Sequence, residues 1–112
     1  MTQMTSSLDT WATLLHTTAV QKGFWDYEEV TPEVVLSKLA LVASEVSEVL
    51  EAYRKSQGSE KIVEEFADIL IRTLDLYEGM REVGLVDHSL DESFKRKAMK
   101  NLEREHKHGN LL

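Results

Sequence analysis

The stretch TPEVVLSKLALVASEVSEVLEAYRKSQGSEKIVEEFADILIRTLDLYEGMREVG (residues 31–84) decides the fold. Thr31 can cap a helix that has Pro32 at its first position, and Glu33 adds favourable charge in the first turn. Apolar residues then recur at helical spacing: Val35, Leu39, Val42, Val46, Val49, Leu50 and Tyr53. The spacing predicts a helix to about Lys55, ended by Ser56-Gln57-Gly58. Ser59 can cap the next helix, from Glu60 to about Val83, with Gly84 closing it. Its stripe is Ile62, Phe66, Ile69, Leu70, Thr73, Leu74 and Tyr77.

Two more helices flank this pair. One begins at about Ser7, capped by Asp9 or Ser6, and ends near Gln21. A connector rich in aromatic and acidic residues, Gly23 to Val30, follows it. The other opens at Ser89 or Asp91 and ends before Gly109. Strand alternation is nowhere sustained, so a doubly wound α/β fold is disfavoured. The 112 residues suit one domain. Short connections predict an all-α, four-helix-bundle-type fold with consecutive helices packed antiparallel.

Composition narrows the function. The chain is 42% hydrophobic, which makes a thin core for a lone monomer and predicts self-association into a homodimer or homotetramer. Val34, Leu41 and Ala52 form a second apolar flank that asks for such a partner. There is no cysteine, which excludes a disulfide framework, a thiol nucleophile and a cysteine zinc site. No apolar run approaches the roughly 20 residues that span a bilayer. The segment from Met1 to Asp9 lacks an apolar signal core, so a cytoplasmic protein with no membrane association is expected. The net charge of −7 argues against nucleic-acid binding. Six basic residues (Lys95, Arg96, Lys97, Lys100, Arg104 and Lys107) nevertheless crowd the carboxyl end of this acidic chain.

The carboxylates carry the chemistry. With Val46 as the centre of its stripe, Glu45 falls about 100° and Glu48 about 160° to one side. With Phe66 as centre, Glu65 and Asp68 fall at the same two angles. Each helix therefore carries one acidic pair at its middle, beside apolar residues. If the helices pack antiparallel, four carboxylates converge at one level. Such anions repel, and partial burial adds a desolvation cost. Either some are protonated, or a cation lies between them, or they merely solvate a helix face. Oxygen ligands without cysteine point to Mg²⁺, with Mn²⁺ as the alternative. A di-iron site would want Glu-x-x-His, and no histidine follows at i+3.

Cations and aromatics complete the candidate set. Lys97, Asn101, Arg104 and His108 share one helix face, suited to phosphate oxygens or to docking on the acidic body. Lys38 precedes Glu45 on its flank and can reach a phosphate or neutralise the acids. Arg72 follows Asp68 at i+4 and reads as an intrahelical ion pair. His16 stands nine residues before Trp25, in a patch Phe24-Trp25-Asp26-Tyr27 that can stack on a base or plug the bundle end.

Glu45-x-x-Glu48, then sixteen residues, then Glu65-x-x-Asp68 resembles the signature of the MazG-like all-α nucleoside triphosphate pyrophosphohydrolases. The segment His16-Thr17-Thr18-Ala19 through Gly23-Phe24-Trp25-Asp26 is similar to the one preceding the metal helix in that group. Its His-to-Trp spacing matches the dCTP pyrophosphatase branch, where this segment borders the base. Lys97-x-x-x-Asn101 is similar to a pair that contacts the triphosphate there. The end, Arg104-Glu105-His106-Lys107-His108-Gly109-Asn110, departs from the Arg-Pro-x-x-His-Gly-Lys of many relatives.

The resemblance implies Mg²⁺-dependent hydrolysis of a nucleoside triphosphate between its α- and β-phosphates. Glu45, Glu48, Glu65 and Asp68 would hold the metal and act catalytically. Lys97, Asn101, Arg104 and Lys38 would hold phosphates, and His16 and Trp25 the base. Two alternatives remain open: a helical dimerisation module without activity, and phosphoribosyl-ATP pyrophosphohydrolase, a cousin reaction on a similar scaffold.

Overall fold

Ser7, Thr31 and Ser89 each sit in extended backbone just before a helix, and each hydroxyl accepts a hydrogen bond from the amide three residues on. The helices they open belong to an all-α computed structural model that describes residues 7–26 and 29–104. The helices are α1 (Leu8–Gln21), α2 (Pro32–Arg54), α3 (Ser59–Glu82) and α4 (Leu90–Leu102), with no strand among the described residues. Ser6, Tyr27 and the residues from Glu105 onward, including His106 and His108, lie outside the described residues. No described helix is long and apolar enough to cross a membrane.

Two expected caps are corrected. Ser7, not Asp9 or Ser6, caps α1. Ser59 lies inside α3, and the cap position is Gly58, with no side-chain bond. Asp9 and Asp91 instead cap each other's helices. Asp9 Oδ1 accepts from the Leu90 and Asp91 amides at 3.1 and 3.2 Å, and Asp91 Oδ1 accepts from the Leu8 amide at 3.0 Å. Two positive helix ends thus share two carboxylates, which pins the start of α4 to the start of α1.

The first three helices close with the same reverse turn. Gly84 at φ 81° lets the Leu85 amide reach back to the Met80 carbonyl at 2.8 Å. After α2 the left-handed position falls on Ser56, φ 52°, where a side chain costs about 1 kcal/mol relative to glycine.

α3 is the centre of the fold. Both α1 and α2 pack along it, antiparallel to it, rather than on each other. The expectation that consecutive helices would be neighbours therefore holds for α2 and α3 but fails for α1 and α2, and for α3 and α4, since α4 meets α1 instead. For α1 and α2 the cause is the connector, which drops Trp25 onto α3 and so carries the chain across it. Trp25 is buried, and its ring fills the notch left by Gly79, where a Cβ would stand 2.5 Å from the indole. Ala12, Ala52, Leu74 and Leu76 supply the rest of the buried apolar residues. α4 touches the rest mainly through its first turn and buries no residue.

The stripes of α2 and α3 meet an unexpected fate. Val46, Leu50, Tyr53, Phe66 and Leu70 are all more than half exposed. Of the α3 stripe Leu74 is buried, and α3 buries Glu65 and Glu78 as well. Glu78 is held by both nitrogens of an Arg81 fork, at 3.1 and 3.0 Å, and this pairing raises the Arg81 pKa above its ordinary value.

Candidate functional site

The hairpin of α2 and α3 turns at residues 55–58, so the middle of one helix lies against the middle of the other. Three of the four predicted acids meet there. Glu45 from α2 and Glu65 and Asp68 from α3 each offer a carboxylate oxygen, all within 4.8 Å of one another. Glu65 is buried, Glu45 is 13% exposed at its side chain, and Asp68 is open to solvent. The i, i+3 spacing puts Glu65 and Asp68 on one face, and the antiparallel crossing brings Glu45 to them. Glu48, one turn past Glu45, is exposed and stands outside this trio.

Two cations offset part of the charge of the three anions. Arg72 Nε donates to Glu45 Oε1 at 2.8 Å, and Lys61 Nζ lies 3.2 Å from Glu65 Oε2. The Glu65 hydrogen bond, then the charges of Glu65, Glu64 and Glu48, hold the Lys61 pKa above its ordinary value. Arg72 is a correction: it bridges to α2 rather than pairing with Asp68 along its own helix. A half-buried carboxylate on the neighbouring helix is the less hydrated acceptor, and so the stronger one. Three carboxylates with no nitrogen or sulfur among them fit a hard divalent cation such as Mg²⁺ or Mn²⁺.

A cavity of about 290 Å³ opens beside Asp68, between α1 and α3. Its walls are Leu15, Thr18, Ala19 and Ile71, its rim carries Lys22, Phe24 and Arg72, and Asp75 lies at its far end. A second cavity, about 400 Å³, lies between the connector and α2 and shares Phe24 with the first. Phe24, 66% exposed, is an open aromatic of this region.

His16 and Trp25 come together, but around a residue that the sequence reading passed over. His16 Nδ1 is 2.8 Å from Asp75 Oδ1, and the Trp25 indole N–H donates to both Asp75 oxygens at 3.0 and 3.1 Å. The two rings meet edge to face at 5.0 Å. Lys38 does not reach the acids. Its Nζ lies 4.2 Å over the Trp25 ring and donates to the Phe24 carbonyl at 3.2 Å.

Lys97 and Asn101 share a face of α4, but the helix ends at Leu102, so Arg104 lies beyond it and off that face, and none of the three lines the cavity beside Asp68. The cations that do line it, Lys22 and Arg72, were not assigned to phosphate from the sequence. Asp75 and Arg72 carry a legible signal all the same, since they follow Asp68 at i+7 and i+4 on the same helix face. Compared with models of protein families, with curated protein sequences and with solved structures, the chain matches none.

Proposed function

We propose that this protein hydrolyses a nucleoside or deoxynucleoside triphosphate between the α- and β-phosphates, with Mg²⁺ or Mn²⁺, on a MazG-like scaffold. The reading rests on one observation: Glu45, Glu65 and Asp68 converge within 4.8 Å, and Asp68 also lines a cavity together with Lys22 and Arg72. Glu45, Glu65 and Asp68, with Glu48 one turn away, would hold the metal. Bound there, it would neutralise charge on the phosphate oxygens and activate water. Water adds across the bridge between the α- and β-phosphates, and the products are the monophosphate and pyrophosphate. Arg72 and Lys22 stand where they can bind phosphate oxygens, Arg72 by its fork. Phe24 offers a face to the base, while His16 and Trp25 shape the wall behind it.

A second copy completes this reading. Val46, Leu50 and Tyr53 on α2, and Phe66 and Leu70 on α3, recur at helical spacing and are each more than half exposed, a pattern that suits a partner surface. A second chain laid on that face buries it. α4 and the turn that follows it can then present Lys97, Asn101 and Arg104 to a neighbour's site. Light scattering of the purified protein should give at least twice the 12.8 kDa chain mass. A monomer at micromolar concentration would remove this part of the proposal.

The decisive experiment is a panel of nucleoside triphosphates with Mg²⁺, products resolved by chromatography, with thermal unfolding run alongside. Monophosphate and pyrophosphate in equal amounts, together with a midpoint raised by metal and nucleotide, are expected. No turnover and no shift would leave the exposed apolar face as the functional surface, and the protein as an interaction module. Turnover confined to phosphoribosyl-ATP would move the assignment to that cousin reaction.

A further inference from the structure

Asp75 stands two turns beyond Asp68 on the same face of α3, about 10.5 Å along the axis. Both residues line the one cavity, with Thr18, Ala19 and Ile71 between them and Phe24 at the edge. The Asp75 side chain is 21% exposed. Among the described residues its partners are two donors, His16 and Trp25. An ionised carboxylate only accepts, so His16 must carry its proton on Nδ1 toward Asp75. Oδ1 takes both donors, while Oδ2 takes only the longer arm of the Trp25 bond, at 3.1 Å. A carboxylate has about four lone-pair sites, so acceptor capacity remains on the side of the cavity. Its orientation is set from behind by two aromatic rings, and one of them, Trp25, is locked against Gly79.

A ligand with its phosphates at the Asp68 end of this cavity has its ribose in the middle. Its base then lies at the Asp75 end. We infer that Asp75 is a specificity-determining residue, and that it accepts a hydrogen bond from the exocyclic amino group of an amino-bearing base. The inference rests on the nucleotide reading above. A fixed anion that cannot donate favours cytosine, adenine or guanine. It disfavours bases that present a carbonyl at that place, because two acceptors then face each other in a partly dry site.

The test compares matched pairs, CTP with UTP and ATP or GTP with ITP, in the full-length protein. It uses kcat/KM with Mg²⁺ and, separately, calorimetric binding of the α,β-methylene analogues. The best ligand is expected to carry an amino group and to exceed its partner about 10- to 100-fold, the range of a hydrogen bond to a charged group. Asp75→Asn, which can donate, should shrink that ratio at least severalfold in both measurements. Equal use of the pairs by the wild-type protein would overturn the inference even if the variant fails to fold. So would discrimination that Asp75→Asn leaves unchanged. A preference for CTP over dCTP that disappears in Asp75→Asn would assign the carboxylate to the ribose hydroxyl and overturn the base assignment. If no triphosphate binds or turns over, the nucleotide reading itself falls. Turnover without base preference defeats only the role of Asp75.

Discussion

Asp68→Asn is expected to lower metal-dependent pyrophosphate release on the order of 10²–10³-fold, the cost of removing one preorganised charge from a phosphoryl-transfer site. Asp68 suits this test because it is exposed. Among the described residues it has no ion pair to lose, so circular dichroism and the unfolding midpoint without metal should stay at their wild-type values. Asn keeps the shape and one oxygen, so the change removes charge and little else. Glu65 is a poorer probe: it is buried and paired with Lys61, and its replacement would disturb fold and site together. A wild-type rate in Asp68→Asn would defeat the proposed metal centre. The thermal shift on adding Mg²⁺ should vanish with the rate, which separates a binding defect from a chemical one.

Trp25→Ala is expected to cost about 3–5 kcal/mol in urea unfolding, a large share of the roughly 5–15 kcal/mol that holds a small domain together. The ring is buried against the Gly79 backbone, under the Lys38 ammonium and beside the His16 edge. Its loss opens a void and takes a donor from Asp75. Trp25→Phe is a milder form of both effects: it removes the N–H and shortens the ring that reaches Gly79, and should fall between wild type and Trp25→Ala. Equal stability of wild type and Trp25→Ala would show that the connector is not anchored at this point, and that α1 and α2 do not depend on it for their common packing on α3.

Much of this was legible in the residues. Thr31-Pro32 and Gly84 mark their helix ends because capping is a local matter of one side chain or one dihedral angle. The acidic pairs were legible for a similar reason: i, i+3 spacing fixes a shared face wherever the helix goes. Glu45, Glu65 and Asp68 do converge. Arg72 and Lys38 were less readable, because a long cationic side chain chooses among partners up to several ångströms away, and the better one lay on another element. The same holds for Asp75. Nothing within its own helix shows that a tryptophan and a histidine from the amino-terminal third of the chain will share it.

Helix identity, helix ends and the faces that carry charge follow from residues close together along the chain, and the amino-acid sequence determines them unaided. Which helices touch depends on long-range packing. Trp25 seats in a notch at Gly79, α1 and α2 both lie on α3, part of each apolar stripe stays exposed, and His16 and Trp25 meet at Asp75. Tertiary structure alone decided those contacts, because the free energy of fitting a ring into a gap depends on atoms far apart in sequence, which no periodicity records.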